Sequence, residues 1–146
     1  FYAHFADKYE LFDYTIHTMY QEHLEQSLSD AHQLTYANLR ALSLATLTFL
    51  THFIGHCAPS KRYDVLPFEK QIQAHLRDIL LSWLDNLDPL KIPPDLSADL
   101  IATATSSAIL GAVLYHAHGN SADDPEQYIN QLMTLLMDGI CAIVCD

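Results

Sequence analysis

Basic residues are scarce in this chain: seven Lys and Arg stand against eighteen Asp and Glu, a formal charge of −11 over 146 residues. Phosphate contacts need Lys and Arg, so this balance taken alone opposes nucleic-acid binding. Glycine is sparse too, with four residues beside six prolines. Runs of Val and Ile are few, which argues against a β architecture and for helices. The three cysteines, Cys57, Cys141 and Cys145, are an odd number with two of them one helical turn apart, which is no disulfide framework. A reducing, cytoplasmic compartment is expected, with the cysteines serving as small core residues. No signal peptide is visible, and Ser, Thr, His and Gly interrupt the longest charge-free stretches, so no membrane span is expected.

Catalytic constellations are lacking as well. There is no Glu-x-x-His, no His-Glu-x-x-His, no Gly-x-Ser-x-Gly and no glycine-rich phosphate loop. Glu22 and Glu25 are three apart, but beside Gln21 and His23 they read as a solvated face. Cys57 and His56 would point roughly 100° apart on a helix, which does not suit a nucleophile and its base. An enzyme is not expected, and no cofactor is.

What the chain does have is apolar content, half of its residues, enough for one domain with a real core. Periodicity predicts five helices. The first runs from Lys8 to about Leu28, with Leu11, Phe12, Ile16, Met19, Tyr20, His23 and Leu24 on one side and Asp13, Glu22 and Glu25 on the wet side. The second, roughly Leu34 to His56, carries no charge from Ala41 through Cys57 and is apolar all round, as a helix surrounded by others would be. The third follows Leu66-Pro67, with Phe68, Ile72, Leu76, Ile79, Leu80, Trp83 and Leu84 opposite Glu69, Lys70, Gln73, Arg77 and Asp78. Pro89, Pro93 and Pro94 make Leu87 to Asp95 the longest internal connector. The last two helices span about Ser97 to Ala117 and Pro125 to Val144, the second with Pro125 at its first position behind Asp124.

The opening stretch organises the rest. Asp7 and Glu10 form an Asp variant of the capping box, which starts the first helix at about Lys8. Ahead of it, Tyr2, His4 and Lys8 set three phosphate-compatible donors around one corner, with Phe1 and Phe5 as the apolar side. The plain alternative is an ordinary helix-turn corner with exposed polar residues. Phe1, Tyr2, His4, Phe5, Lys8 and Leu11 together resemble the end of the helix-turn-helix in TetR/AcrR-type transcriptional regulators, which closes on Phe-Tyr-x-His-Phe followed by Lys-x-x-Leu. The resemblance is strong over residues 1 to 11 and extends to the rest only through the helix pattern.

It implies an all-α, multi-helix TetR-type effector-binding and dimerisation domain over residues 8–146, with residues 1–7 the end of a DNA-binding domain whose remainder is absent. It also implies that Tyr2, His4 and Lys8 lie against DNA backbone phosphates, positioning a reading head without reading bases. The expected function is a ligand-responsive transcriptional repressor. Its partners would be a second copy of the chain, operator DNA reached through the missing head, and a small-molecule effector.

Two further sites are expected. Tyr20, His52, Phe53, His56, His75 and Trp83 are richer in polar tips than a core needs, which suits the wall of an organic-ligand pocket; core filling is the alternative for each singly. Nine histidines invite a metal reading, with His52 and His56 at i and i+4 beside Cys57 and a third ligand from His17, His23 or His75, so a His-lined metal sensor or store is the second functional reading. Residues 100 to 122 hold no Asp, Glu, Lys or Arg. Ala104, Ser107, Ala108 and Gly111 would let a second copy approach, with Leu110, Leu114, Leu132, Leu136 and Ile143 as anchors of a four-helix dimer interface.

Overall fold

The computed structural model describes residues 8–28, 30, 32–57 and 65–138. These residues form five α-helices and no strand: α1 (Lys8–Leu28), α2 (Tyr36–Cys57), α3 (Val65–Asp85), α4 (Ala98–Ala117) and α5 (Pro125–Asp138), with a short 3₁₀ turn at Pro89–Lys91 between α3 and α4. The chain is therefore all-α over the part described. Tyr2, His4, Ile143, Cys141 and Cys145 lie outside the described residues, as do the side chains of Lys8, His56 and Cys57.

The ends of the helices follow local chemistry. The Thr35 hydroxyl accepts from the Asn38 amide at 3.1 Å, so α2 begins at Tyr36 rather than at Leu34. Ser97 caps α4 by accepting from Leu100 N at 3.1 Å, and Asp124 Oδ2 accepts from the amides of Glu126 and Gln127 ahead of α5. After α4 the chain turns through Gly119 at φ +81°, where Asn120 N donates to Tyr115 O and Gly119 N to His116 O. This is a Schellman ending, and its left-handed residue is one that a side chain would strain.

α1 packs on α2 and α3, and α4 packs on the same two helices, so four helices enclose the core; α5 lies against α2 and α4. Their facing stripes bury Tyr20, Leu42, Leu50, Ile72, Leu76, Ile109 and Ile129, all at 1% exposure or less. Polar pairs tie the helices at the edges. Gln73 Nε2 donates to both Ser106 Oγ and Ser107 Oγ, Arg77 Nε donates to Thr103 Oγ1, and Arg77 meets Asp99 at 3.3 Å, joining α3 to α4. Arg40 donates to Asn130, and the Tyr128 hydroxyl donates to Ala112 O.

Two periodicity readings need correction. α2 is not covered all round: Thr48, Thr51, His52 and Gly55 form an exposed stripe, and it is the stripe on which the helix carries hydroxyls, an imidazole and no large apolar group. Met19 on α1, placed with the apolar face, is 41% exposed, because it sits at the edge of the arc that faces α2 and α3.

Candidate functional site

A solvent-open cleft of about 500 Å³ lies between α1 and α3, within the size range of small-molecule sites. α1 contributes His17, Gln21, Leu24, Glu25 and Leu28, and α3 contributes His75, Asp78, Ile79, Ser82 and Trp83. Both sets recur at three- and four-residue steps, so each is one face of its helix. Leu24, Leu28, Ile79 and Trp83 make the apolar part, while two carboxylates, two imidazoles, an amide and a hydroxyl make the polar part. Among the described residues no Lys or Arg lines it.

The two imidazoles meet across the cleft. The rings of His17 and His75 are 5.0 Å apart, edge to face, and His75 sits 5.2 Å from the Tyr20 ring in a similar arrangement. Tyr20 lies behind His75 in the core. Its hydroxyl lies 2.7 Å from Thr46 Oγ1, and Thr46 donates its single proton to Leu42 O at 2.8 Å, so Tyr20 is the donor to Thr46. Burial pushes the Tyr20 phenol well above its ordinary range, and the bond to Thr46 offsets only part of that.

Burial is also the main cause that lowers the His75 pKa, the neighbouring His17 adds to it, and Asp78 and Glu25 oppose it. A histidine whose folded pKa is depressed binds fewer protons folded than unfolded, so acid favours the unfolded chain. Stability is expected to be undiminished above the ordinary histidine pKa of about 6.5 and to fall as pH drops through it towards the lower folded value. Denaturant midpoints taken through this window check it: the loss should shrink in His75→Gln, and an unchanged pH profile in that variant would assign the loss to other groups.

The cleft brings together two of the residues expected to line a pocket, His75 and Trp83. Tyr20 and Phe53 are core residues at 0% and 5% exposure, Phe53 stacking on Phe49 at 6.2 Å. His52 points outward on the exposed stripe of α2. Among the described residues no group of three or more His, Cys, Asp or Glu is placed to hold a metal ion. Of the histidines considered as a third ligand, His23 lies with Nε2 3.1 Å from Ala45 O, while His17 and His75 belong to the cleft. Glu25 and Asp78, which the periodicity puts on solvated faces, are on the cleft wall. A sequence signal was there for Glu25, which falls three residues before Leu28 on the same side of α1; among the cleft residues Asp78 has His75 and Ser82 at those steps, so no apolar neighbour on that side marks it.

No protein-family model, curated protein or solved structure matches the chain.

A second cavity, about 190 Å³, lies among α2, α3, α4, α5 and the residues before α2. Its described lining, including Leu39, Leu84, Ile101 and Leu136, is apolar except for Thr105, so these residues offer little to orient a polar ligand.

The other feature is the outer face of α4. By length and composition this 20-residue helix is apolar enough to cross a membrane, yet only 28% of its apolar 18-residue window is buried in the fold. Ala102, Ser106, Ile109, Leu110 and Val113 face inward. Ala104, Ser107 and Gly111 are exposed, flanked by Leu100 and Tyr115 at 55% exposure each. Of the residues expected to anchor a second chain, Leu110 and Leu132 are in this chain's own core at 6% exposure, because α5 and the α2–α3 side cover them. Leu114, Leu136 and Ala108 are half-buried, and Ser107 already accepts a hydrogen bond from Gln73.

Proposed function

We propose that this chain is the effector-binding and dimerisation part of a TetR-type, ligand-responsive transcriptional repressor. The observation that carries the reading is α1. It starts at Lys8, within the stretch that resembles the end of a helix-turn-helix, and some nine residues later its His17 enters one wall of the cleft. At 1.5 Å per residue its 21 residues run about 30 Å, so a single rigid element joins the DNA-proximal end to the ligand site. A molecule between α1 and α3 that binds one setting of α1 better than another would shift the separation of two heads in a dimer; equal affinity for both settings would shift nothing. The acidic composition is compatible with this division of labour, since it keeps the effector part off the DNA that the head reads.

The test uses the protein with the residues that precede Phe1. It is expected to bind DNA in a salt-dependent way, and residues 1–146 alone are expected not to. Lys8→Ala should lower affinity alike on all sequences and flatten the salt slope by about one unit per protomer, as loss of one phosphate contact does. Tight, sequence-specific binding by residues 1–146, or no DNA binding by the longer chain, would overturn the proposal.

A further inference from the structure

We propose that His17 and His75 form a proton-operated latch on the seam between α1 and α3: with both rings neutral the seam is closed, and with both protonated it opens. Polar ties hold α1 to α2, through Tyr20 with Thr46 and His23 with Ala45 O, and α3 to α4, through Gln73 with Ser106 and Ser107 and Arg77 with Thr103 and Asp99. Where α1 and α3 face each other, two imidazoles stand edge to face, 5.0 Å between ring centroids.

Neutral rings in that arrangement attract, edge on face. Two imidazolium ions at the same distance repel, and His75 has no room to retreat inward: the Tyr20 ring lies 5.2 Å from it, with the Tyr20 hydroxyl fixed on Thr46 in the core. Both histidines are half-buried, so water screens only part of the repulsion. The other described charges that act on His75 are Asp78 on its own helix and Glu25 on α1, about two turns beyond His17. Both carboxylates favour a cation but are exposed at the cleft rim, and burial together with His17 outweighs them, since the His75 pKa is lowered. On the α4 side of α3, Arg77 is paired with Asp99; on α2, Thr46 and Phe49 face Tyr20 while His52 is on the exposed stripe. Acid therefore removes a contact from the seam and puts a repulsion in its place. The device needs only this fold, so it stands or falls apart from the regulator reading: a chain that never binds DNA would still have it.

Trp83 lines the same cleft, is 3% exposed and is the only tryptophan in the chain, so acrylamide quenching of its fluorescence reports opening. Between about pH 8 and about pH 5.5, where histidine changes charge and the chain stays above its sequence pI of about 5.0, the quenching constant is expected to rise roughly twofold or more while helical circular dichroism holds. Added salt should reduce the rise by screening the pair. His17→Gln removes one cation and leaves His75 in place, and His17→Phe keeps a ring edge that cannot take a proton; in both the rise should be mostly lost. Hydrogen exchange should quicken in acid over α1 and α3 and not over α5. A flat quenching constant in the wild-type chain, or a full rise in both His17 variants, would overturn the latch. So would a rise that comes only with loss of helical signal, which is unfolding and not the opening of one seam.

Discussion

At micromolar concentration the chain is expected to sediment at twice its 16.5 kDa mass, and Gly111→Leu to return it towards a single chain while its helical circular dichroism persists. The reason is the mismatch in α4, which is charge-free over residues 100 to 117 and yet leaves Leu100, Ala104, Gly111 and Tyr115 exposed. A glycine inside a helix costs roughly 1 kcal/mol against alanine and wants a packing reason. That reason is not within this protomer: a Cβ built on Gly111 meets nothing within 4 Å. A leucine there would project into open space in one chain but into the path of a second helix in a twofold pair. Gly111→Leu thus tests association without touching the core. Leu100→Ala should weaken the dimer with little effect on the fold. Apolar patches beyond a few hundred square ångströms are rare on monomers, and a twofold axis hides such a face against its copy. A wild-type monomer would sink the dimer; partition of the wild-type chain into lipid vesicles would give α4 a different occupant and sink it equally.

Leu42→Ala is expected to destabilise the chain by about 2–5 kcal/mol, the range for a fully buried leucine that leaves a cavity. Leu42 is 0% exposed, on the helix that meets α1, α4 and α5. Its backbone carbonyl also accepts from Thr46, which in turn accepts from Tyr20, so collapse around the cavity would disturb that chain of bonds and the space cannot close cheaply. For a stability of roughly 5–15 kcal/mol the loss is a large fraction of the total. Urea denaturation measures it directly. A cost below about 1 kcal/mol would mean that α2 is looser than its burial implies.

Much of the helical framework is legible along the chain because helix ends and apolar stripes are local properties. Lys8 to Leu28, the stop after Cys57, the proline-rich connector and Pro125 behind Asp124 all follow from residues within a turn of each other. The stripe Ile72, Leu76, Leu80, Trp83, Leu84 is buried as its period implies. Which helix each stripe meets is not local, and this is where the site escaped. Tyr20, Phe53, His75 and Trp83 all belong to inward faces by periodicity, but Tyr20 and Phe53 pack in the core against Phe49 while His75 and Trp83 line the opening between α1 and α3.

Glu25 and Asp78 carry the opposite lesson. A carboxylate at the edge of an apolar stripe looks solvated in one dimension, and only the pairing of α1 with α3 sets two such edges across one gap. The same holds for α4: composition shows that Ser97 to Ala117 is apolar throughout, whereas the packing of α2, α3 and α5 on one side of it decides which part is left uncovered. The sequence by itself determined most of the described helix ends to within a turn and most of the residues that avoid water, with the start of α2 and Met19 as exceptions, because those depend mainly on neighbours along the chain. The tertiary structure alone decided which apolar surface closes on itself and which stays uncovered, because that depends on how helices distant in sequence fit together.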